Sequence, residues 1–446
     1  MPDGNRGQSA ASQDRRHLLK ALAAGGMLGL AGCSGSGDGE NTGENGSSGG
    51  GDGGSTQAAF WHDKPDWDDG FKTSFSEIEG EAPAEVSVTS YGSTDSYQGA
   101  LRPVFGTTDG PTLFTWWTGQ RLRDIASDGY ALDITEQWEA HIENGEYDES
   151  LMQQFSADGS AYAVPYYLSY WVVWYHKATF DEMGLSEPET WSDFEQICAD
   201  IAETDKIPIQ IPLGESSWPT FVWFEEFLIH EDPEFYNALC RGEAKYTDDT
   251  AIWALEKMAE YQRNGYFGPA ERMFQLESPT AQQQLANGEY VMHASGDWLS
   301  GIFSENDLEF SDMGWFILPN ISGDENPRMI IEPGPIVPHA GTENEEMTRE
   351  FIDLVLSPEF QSTVNQELGF PPTNQEVDPS FLDENKRNLV NTINEEDIQF
   401  SLRYWENTSP EVAQPATETL EQLLQYPDRV QQVAEKIENE RQRVYE

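Results

Sequence analysis

Short apolar segments alternate with amphipathic ones along most of this chain, and that alternation constrains the fold more than any other feature. Gln57-Ala58-Ala59-Phe60-Trp61-His62 is a short apolar run, residues 67–78 carry apolar side chains at helical spacing, and residues 84–90 alternate at Val86 and Val88. Residues 97–105 predict a second helix. Gly110-Pro111 then opens Thr112-Leu113-Phe114-Thr115-Trp116-Trp117, a buried strand closed by a Thr-Gly turn. A further helix starts over 121–126, and Leu132-Asp133-Ile134-Thr135 closes the segment. Strands and helices in this order predict an α/β fold with a largely parallel sheet.

The middle of the chain has another texture. Residues 166–177 form an aromatic strand, and residues 192–203 a helix with its apolar face at Phe194, Ile197, Cys198 and Ile201. Short strands are expected over 207–212, 288–293, 313–319 and 328–337, with helices over 218–230, 251–264, 280–286, 348–355 and 358–367. The tail from Pro372 to Glu446 reads as helical throughout.

Ahead of these elements stand residues of a different kind. Asp14-Arg15-Arg16-His17-Leu18-Leu19-Lys20 leads into a small-residue apolar run ending Leu30-Ala31-Gly32-Cys33. That run is shorter than the roughly 20 residues a bilayer crossing needs. Residues 1–33 resemble a twin-arginine export signal with a lipobox, whose cleavage would free Cys33 for lipidation. Residues 34–56 are nearly all Gly, Ser, Asp, Glu and Asn, a flexible tether with nothing to bury. The expected location is the extracellular face of the cytoplasmic membrane, reached by the twin-arginine route and held through a lipid.

Composition narrows the classes further. Eighty acidic residues face 25 basic ones, for a formal charge of −55, and the acids run through the whole length instead of forming a tail. Self-repulsion on that scale opposes a compact state unless salt screens it. The pattern resembles extracellular proteins of halophilic archaea. A cation-loaded protein is the rival, yet no EF-hand loop or fixed repeat of aspartates is present. Nothing here would neutralise nucleic-acid phosphates. The seven His are scattered without zinc spacing, so no metal or cofactor is expected. Cys198 and Cys240 either pair or remain buried thiols. Roughly 390 residues follow the tether, more than one core usually organises, so two lobes are expected.

Four segments carry a resemblance to the family 1 extracellular solute-binding proteins, the capture subunits of ABC importers, above all those for carbohydrates. They are Leu113-Phe114-Thr115-Trp116-Trp117-Thr118-Gly119-Gln120; Tyr162-Ala163-Val164-Pro165 with Trp174-Tyr175-His176-Lys177 and Thr190-Trp191-Ser192-Asp193-Phe194; Ala286-Asn287-Gly288-Glu289-Tyr290-Val291-Met292 with Gly296-Asp297-Trp298; and Ser357-Pro358-Glu359-Phe360-Gln361 with Gly369-Phe370-Pro371-Pro372. His176 stands where the family usually has Asn, and the helix over 121–128 is unusually charged. The resemblance implies a two-lobe, type II binding-protein fold with the ligand cleft between lobes. Lobe 1 would hold 57–164 and 332–371, lobe 2 165–331 and 372–446. It also implies permease subunits as partners, a monomeric chain and no catalysis.

Sugar recognition needs flat apolar faces for the ring and planar polar groups for its hydroxyls. Ligands of open α/β sheets lie beyond the carboxyl ends of strands. Trp61 and Asp63 follow the first strand there; Trp116, Trp117 and Gln120 follow another, with one of the two indoles facing the core. Asp297 and Trp298 stand in the family's Gly-x-Trp position. Tyr166, Trp218 and Glu332 complete the candidate set, while Trp171, Trp174, Trp191, Trp223, Trp253 and Trp315 are expected in the core. Acidic aromatic clefts also suit polyamines or other cations. A glycoside hydrolase would show aromatics and a carboxylate pair as well, but carboxylates carry no signal in so acidic a chain, and no nucleophile elbow, P-loop or His-Glu-x-x-His motif is present. A purely structural surface protein is the remaining alternative.

Overall fold

The strand Gln57–His62 buries Ala58, Phe60 and His62 on one face, a period of two that fixes its register against the lobe core. The computed structural model describes residues 57–446, so the export signal, Cys33 and the tether lie outside the described residues. Glu85–Ser90 pairs parallel to this strand on one side and Leu113–Thr115 on the other.

The expected parallel sheet requires a correction. A nine-stranded mixed sheet runs through the molecule, and two long strands carry it from one lobe to the other. Val164–His176 and Arg328–Pro338 pair antiparallel, with Ile331 opposite Tyr170 and Glu332 opposite Ser169. Beyond that pairing, Val164–His176 takes Tyr290–Gly296 and Met313–Phe316 antiparallel, and Ile207–Ile209 adds parallel to Tyr290–Gly296. Parallel pairing survives where helices cross between neighbouring strands; the chain's passages between lobes impose the antiparallel pairs. Pro333, Pro335 and Pro338 bring no amide hydrogen to the ladder, and the register shifts between Gly334 and Pro335. Gly334 admits the Tyr167 ring: a Cβ there would stand 2.0 Å from the ring edge.

Two large cores follow the lobes. One gathers Phe60, Phe71, Phe114, Trp138, Ile336 and Phe351; the other gathers Trp171, Phe194, Trp223, Met258, Leu420 and Ile437. A third, smaller cluster lies around Leu168, Trp174, Tyr290 and Met329. Val164–His176 is buried along most of its length because helices or strands cover both faces, which explains its nearly unbroken aromatic and aliphatic run. Local signals place the helices. Thr190 and Asp193 form a reciprocal capping box for Trp191–Ala202.

The tail also differs from expectation. Gln399–Leu402 is a strand, paired parallel to the start of Arg328–Pro338, and a single helical turn Tyr404–Asn407 follows it. The last two helices, Pro410–Gln425 and Val430–Tyr445, pack on each other and on Asp249–Arg263. Cys198 and Cys240 are both buried and unpaired. Among the described residues no helix is long and apolar enough to cross a membrane.

Candidate functional site

A cleft of about 780 Å³ opens beyond the carboxyl ends of Gln57–His62 and Leu113–Thr115 and beside the paired crossing strands. Lys64, Arg102, Trp117 and Arg121 line it from one lobe, and Trp218, Trp298, Arg403 and Trp405 from the other. Glu332, in the middle of the return strand, reaches it as well. A second cleft of about 1130 Å³ shares Trp298 and Glu332 but is otherwise lined by residues such as Trp67, Phe370 and Lys386. The smaller cleft holds the convergent charges and indoles, and it lies where strand ends aim their loops.

Glu332 anchors its floor. The carboxylate accepts hydrogen bonds from Arg403 Nη1 at 2.8 Å, Tyr167 Oη at 3.2 Å and Trp171 Nε1 at 3.3 Å. The Arg403 guanidinium lies 4.1 Å from the Trp171 ring centre and within 5.3 Å of those of Trp218 and Phe221. Burial works against the Arg403 charge, yet Glu332, Glu406 and Glu225 around it outweigh that and raise its pKa. Trp171, Trp218 and Trp298 meet edge to face, their ring centres 5.9–6.2 Å apart and their planes at 76–84°. Buried Trp171 thus backs Trp218 and Trp298, the two of the three that line the cleft.

Two further carboxyl groups adjoin this floor, Glu225 behind it and Glu406 in the cleft lining. Glu225 is fully buried, accepts the Tyr404 amide at 2.6 Å, and burial pushes its pKa well up. Glu406 is 4 % exposed; burial pushes its pKa to about 7 against the pull of Arg403. In the opposite wall the Arg121 guanidinium lies 4.9 Å from the Trp117 ring and 5.2 Å from that of Trp405, so one side chain bridges indoles of both lobes.

The structure brings four of the ten sequence candidates together at the cleft: Trp117, Trp218, Trp298 and Glu332. Asp63 lies one layer behind, holding Thr94 at 2.8 Å and Lys64 at 3.4 Å, both of which line the cleft. Trp61 packs beside Tyr91 on the first core. Trp116 is buried against Phe105 and Phe114, its Nε1 donating to the Arg121 carbonyl, which leaves Trp117 as the indole at the cleft. Gln120 turns to Asp124 along its own helix. Tyr166 is buried among Phe71, Trp67 and Tyr167. Asp297 is fully enclosed, where it accepts from Ser169 Oγ at 2.6 Å and the Tyr170 amide at 3.1 Å and ties the two strands together; burial raises its pKa.

Sequence reasoning missed Arg121, Arg403, Trp405 and Glu406. Arg121 neighbours a named candidate, and a helix turns successive side chains by about 100°. The other three belong to Arg403-Tyr404-Trp405-Glu406, a charged aromatic turn after a strand, hidden inside a tail read as helix.

Two α/β lobes joined by crossing strands around an aromatic cleft are the architecture of the two-lobe binding proteins. The chain belongs to the bacterial extracellular solute-binding protein family, whose model matches residues 41–362. The diacetylchitobiose binding protein DasA of Streptomyces coelicolor is 24 % identical over 234 residues, 52 % of this chain and 53 % of that protein. A probable sugar-binding periplasmic protein of Mesorhizobium japonicum is 27 % identical over 236 residues, 50 % and 53 % of the two chains. The chain thus spans about half the length of these two relatives. Among solved structures, the bacterial solute receptor AcbH, described by its preference for β-D-galactopyranose, superposes with a TM-score of 0.77 at 17 % identity, over 88 % of this chain and 100 % of that one. A chitin oligosaccharide binding protein gives 0.73 at 17 % identity, over 88 % and 99 %.

Proposed function

We propose that this chain is the extracellular capture subunit of an ABC importer and that it closes its two lobes around a sugar or oligosaccharide. The observation that carries the reading is the set of indoles contributed by both lobes, Trp117 facing Trp218, Trp298 and Trp405, over a floor fixed by the Glu332–Arg403 pair. Indole faces take the C–H surfaces of a sugar ring, and fixed charged groups take its hydroxyls. The relatives named above are sugar binders by their own descriptions, which supports the same class here. Lobe 1 takes residues 57–164 and 332–371, lobe 2 takes 165–331 and 372–446, and closure between them is what the permease reads. The cationic-solute alternative has less support, because Lys64, Arg102, Arg121 and Arg403 all line the cleft. A hydrolase needs a free carboxylate pair, whereas three donors already engage Glu332.

The same reading anchors the protein through lipidated Cys33 after twin-arginine export, in a saline setting that its −55 charge suits. A thermal-shift panel of sugars, polyols and polyamines in about 2–4 M salt tests the function, because a ligand bound only by the folded state raises its melting temperature. A shift with a saccharide that depends on hydroxyl stereochemistry supports the proposal. Shifts confined to polyamines would replace the ligand class. For the anchor, Cys33→Ser is expected to release the protein from the membrane fraction; retention there would remove the lipid.

A further inference from the structure

Arg121 is 8 % exposed, lines the cleft, and has no ion-pair or hydrogen-bond partner for its guanidinium among the described residues; its Nε is buried and unpartnered. The Nε atoms of Arg328 and Arg403 are buried and unpartnered too, so what sets Arg121 apart among the buried, described arginines is the lack of a carboxylate. The other three arginines as deeply buried each find a carboxylate: Arg328 has Asp324, Arg403 has Glu332 and Arg441 has Glu438. A guanidinium withdrawn from water without an anion is costly, and such groups are normally paired. From the geometry we infer that the missing partner is the ligand: this cleft takes an acidic saccharide, of the hexuronic type, whose carboxylate Arg121 receives. The inference rests on the saccharide reading above and narrows it.

Three further observations agree. Four basic residues line this cleft, Lys64, Arg102, Arg121 and Arg403, against three acidic ones, Glu332, Glu406 and Glu418, in a chain where acids outnumber bases 80 to 25. The local balance is therefore reversed. Arg102 also has no carboxylate partner among the described residues, since its guanidinium donates to Gln98 Oε1 at 2.9 Å. Glu406, the acid that bears most on Arg121, is buried, which raises its pKa, and it makes no ion pair with Arg121. No carboxylate among the described residues thus pairs with Arg121.

The setting suits a planar anion on a sugar. Trp117 and Trp405 fix the guanidinium from two lobes, so its fork is in place before the ligand arrives. A carboxylate accepts two parallel N–H bonds from such a fork, and the same indoles offer faces to the ring that bears it. The chain's overall negative charge does not forbid this, because molar salt screens beyond about 3 Å and leaves contact pairs intact.

Calorimetric titration in 2 M KCl tests the inference with four saccharides and one plain anion: digalacturonate and aldotriouronic acid, their neutral counterparts galactobiose and xylotriose, and inorganic phosphate. At least one acidic saccharide should bind about tenfold or more tighter than its neutral counterpart, the range of a charge-assisted pair. Arg121→Met should bring the two affinities together, and Arg121→Lys should restore part of the preference, with melting curves confirming that both variants fold. Neutral saccharides binding as tightly as the acidic ones would overturn the acidic ligand while leaving the saccharide reading intact. A preference that survives Arg121→Met would overturn the role of Arg121. Binding of phosphate alone, or of no saccharide, would overturn this inference and the proposed function together.

Discussion

Gly119 of the first lobe meets Glu406 of the second so closely that a Cβ on Gly119 would stand 2.5 Å from the Glu406 carbonyl oxygen. The backbone of Gly119 is also left-handed, at φ +64°, where a side chain is strained by roughly 1–2 kcal/mol. Beside this contact Arg123 Nη2 donates to Asn407 Oδ1 at 3.3 Å, a second link between the same helix and the same turn. The approach of the helix Gly119–Ser127 to the turn Tyr404–Asn407 therefore depends on one position lacking a side chain. Gly119→Ala is expected to hold the lobes apart and to weaken ligand binding about tenfold or more, since closure would then work against a backbone clash. Small-angle scattering with and without saccharide checks it: the variant should stay expanded where the parent contracts. Equal affinity and equal contraction would mean that the Gly119–Glu406 contact plays no part in closure.

Glu406 predicts a dependence on pH. In the unfolded chain it titrates near 4.5; in the folded chain burial raises it to about 7. Between those values the folded state keeps a proton that the unfolded state has lost, so rising pH lowers stability across the window and the effect levels off above about pH 7. Glu406→Gln removes the titration. Its stability should equal the parent's near pH 4.5 and exceed it by about 1–3 kcal/mol at pH 7–8. His293, whose pKa burial lowers to about 4, contributes the opposite slope below pH 6.5, and the comparison between variants cancels it. Parallel melting curves across the window would show that Glu406 ionises freely.

How much of this was legible beforehand varies with the physics behind each feature. The strand Gln57–His62, the buried run at 164–176 and the helix at 191–202 follow from periodicity and capping, which are local, and the sequence displays them directly. The mixed sheet was not legible, because strand direction depends on where a chain passes between lobes and not on the composition of the strand. Gln399–Leu402 escaped because four residues cannot establish a period. Within the site, Trp117 and Trp298 were readable as aromatics beyond strand ends. Arg403 and Trp405 reach the cleft only because the tail returns some 70 residues later to pair with Arg328–Pro338, a long-range event with no local mark. Asp297 illustrates the reverse: a carboxylate in a family motif, expected at the ligand, holds two strands together instead.

The formal charge of −55 predicts a strong dependence of stability on salt. Screening shortens from about 10 Å at 0.1 M to about 3 Å at 1 M, and the mutual repulsion of dispersed surface acids falls with it. The melting temperature should therefore climb steeply between about 0.1 and 2 M salt and flatten above that range. Sodium and potassium chloride should act alike, because screening depends on ionic strength. A melting temperature indifferent to salt would indicate that bound cations already neutralise the acidic surface.

Trp298 stands where three demands meet. Its indole packs against all three hydrophobic clusters, presents edges to Trp171 and Trp218 at 5.9 and 6.2 Å, and keeps part of its surface in the cleft. Trp298→Ala is accordingly expected to lower both affinity and stability. The binding loss should be about 1–3 kcal/mol, the range for truncating an aromatic anchor. The stability loss should be smaller than the 3–5 kcal/mol typical of a fully buried tryptophan, because the residue is only half-buried. Trp298→Phe keeps an aromatic face and should recover much of the binding. Titration of a saccharide into each variant, beside melting curves without ligand, separates the two losses. A lowered melting temperature with unchanged affinity would place Trp298 in the packing between clusters and leave Trp117, Trp218 and Trp405 as the faces that hold the ring.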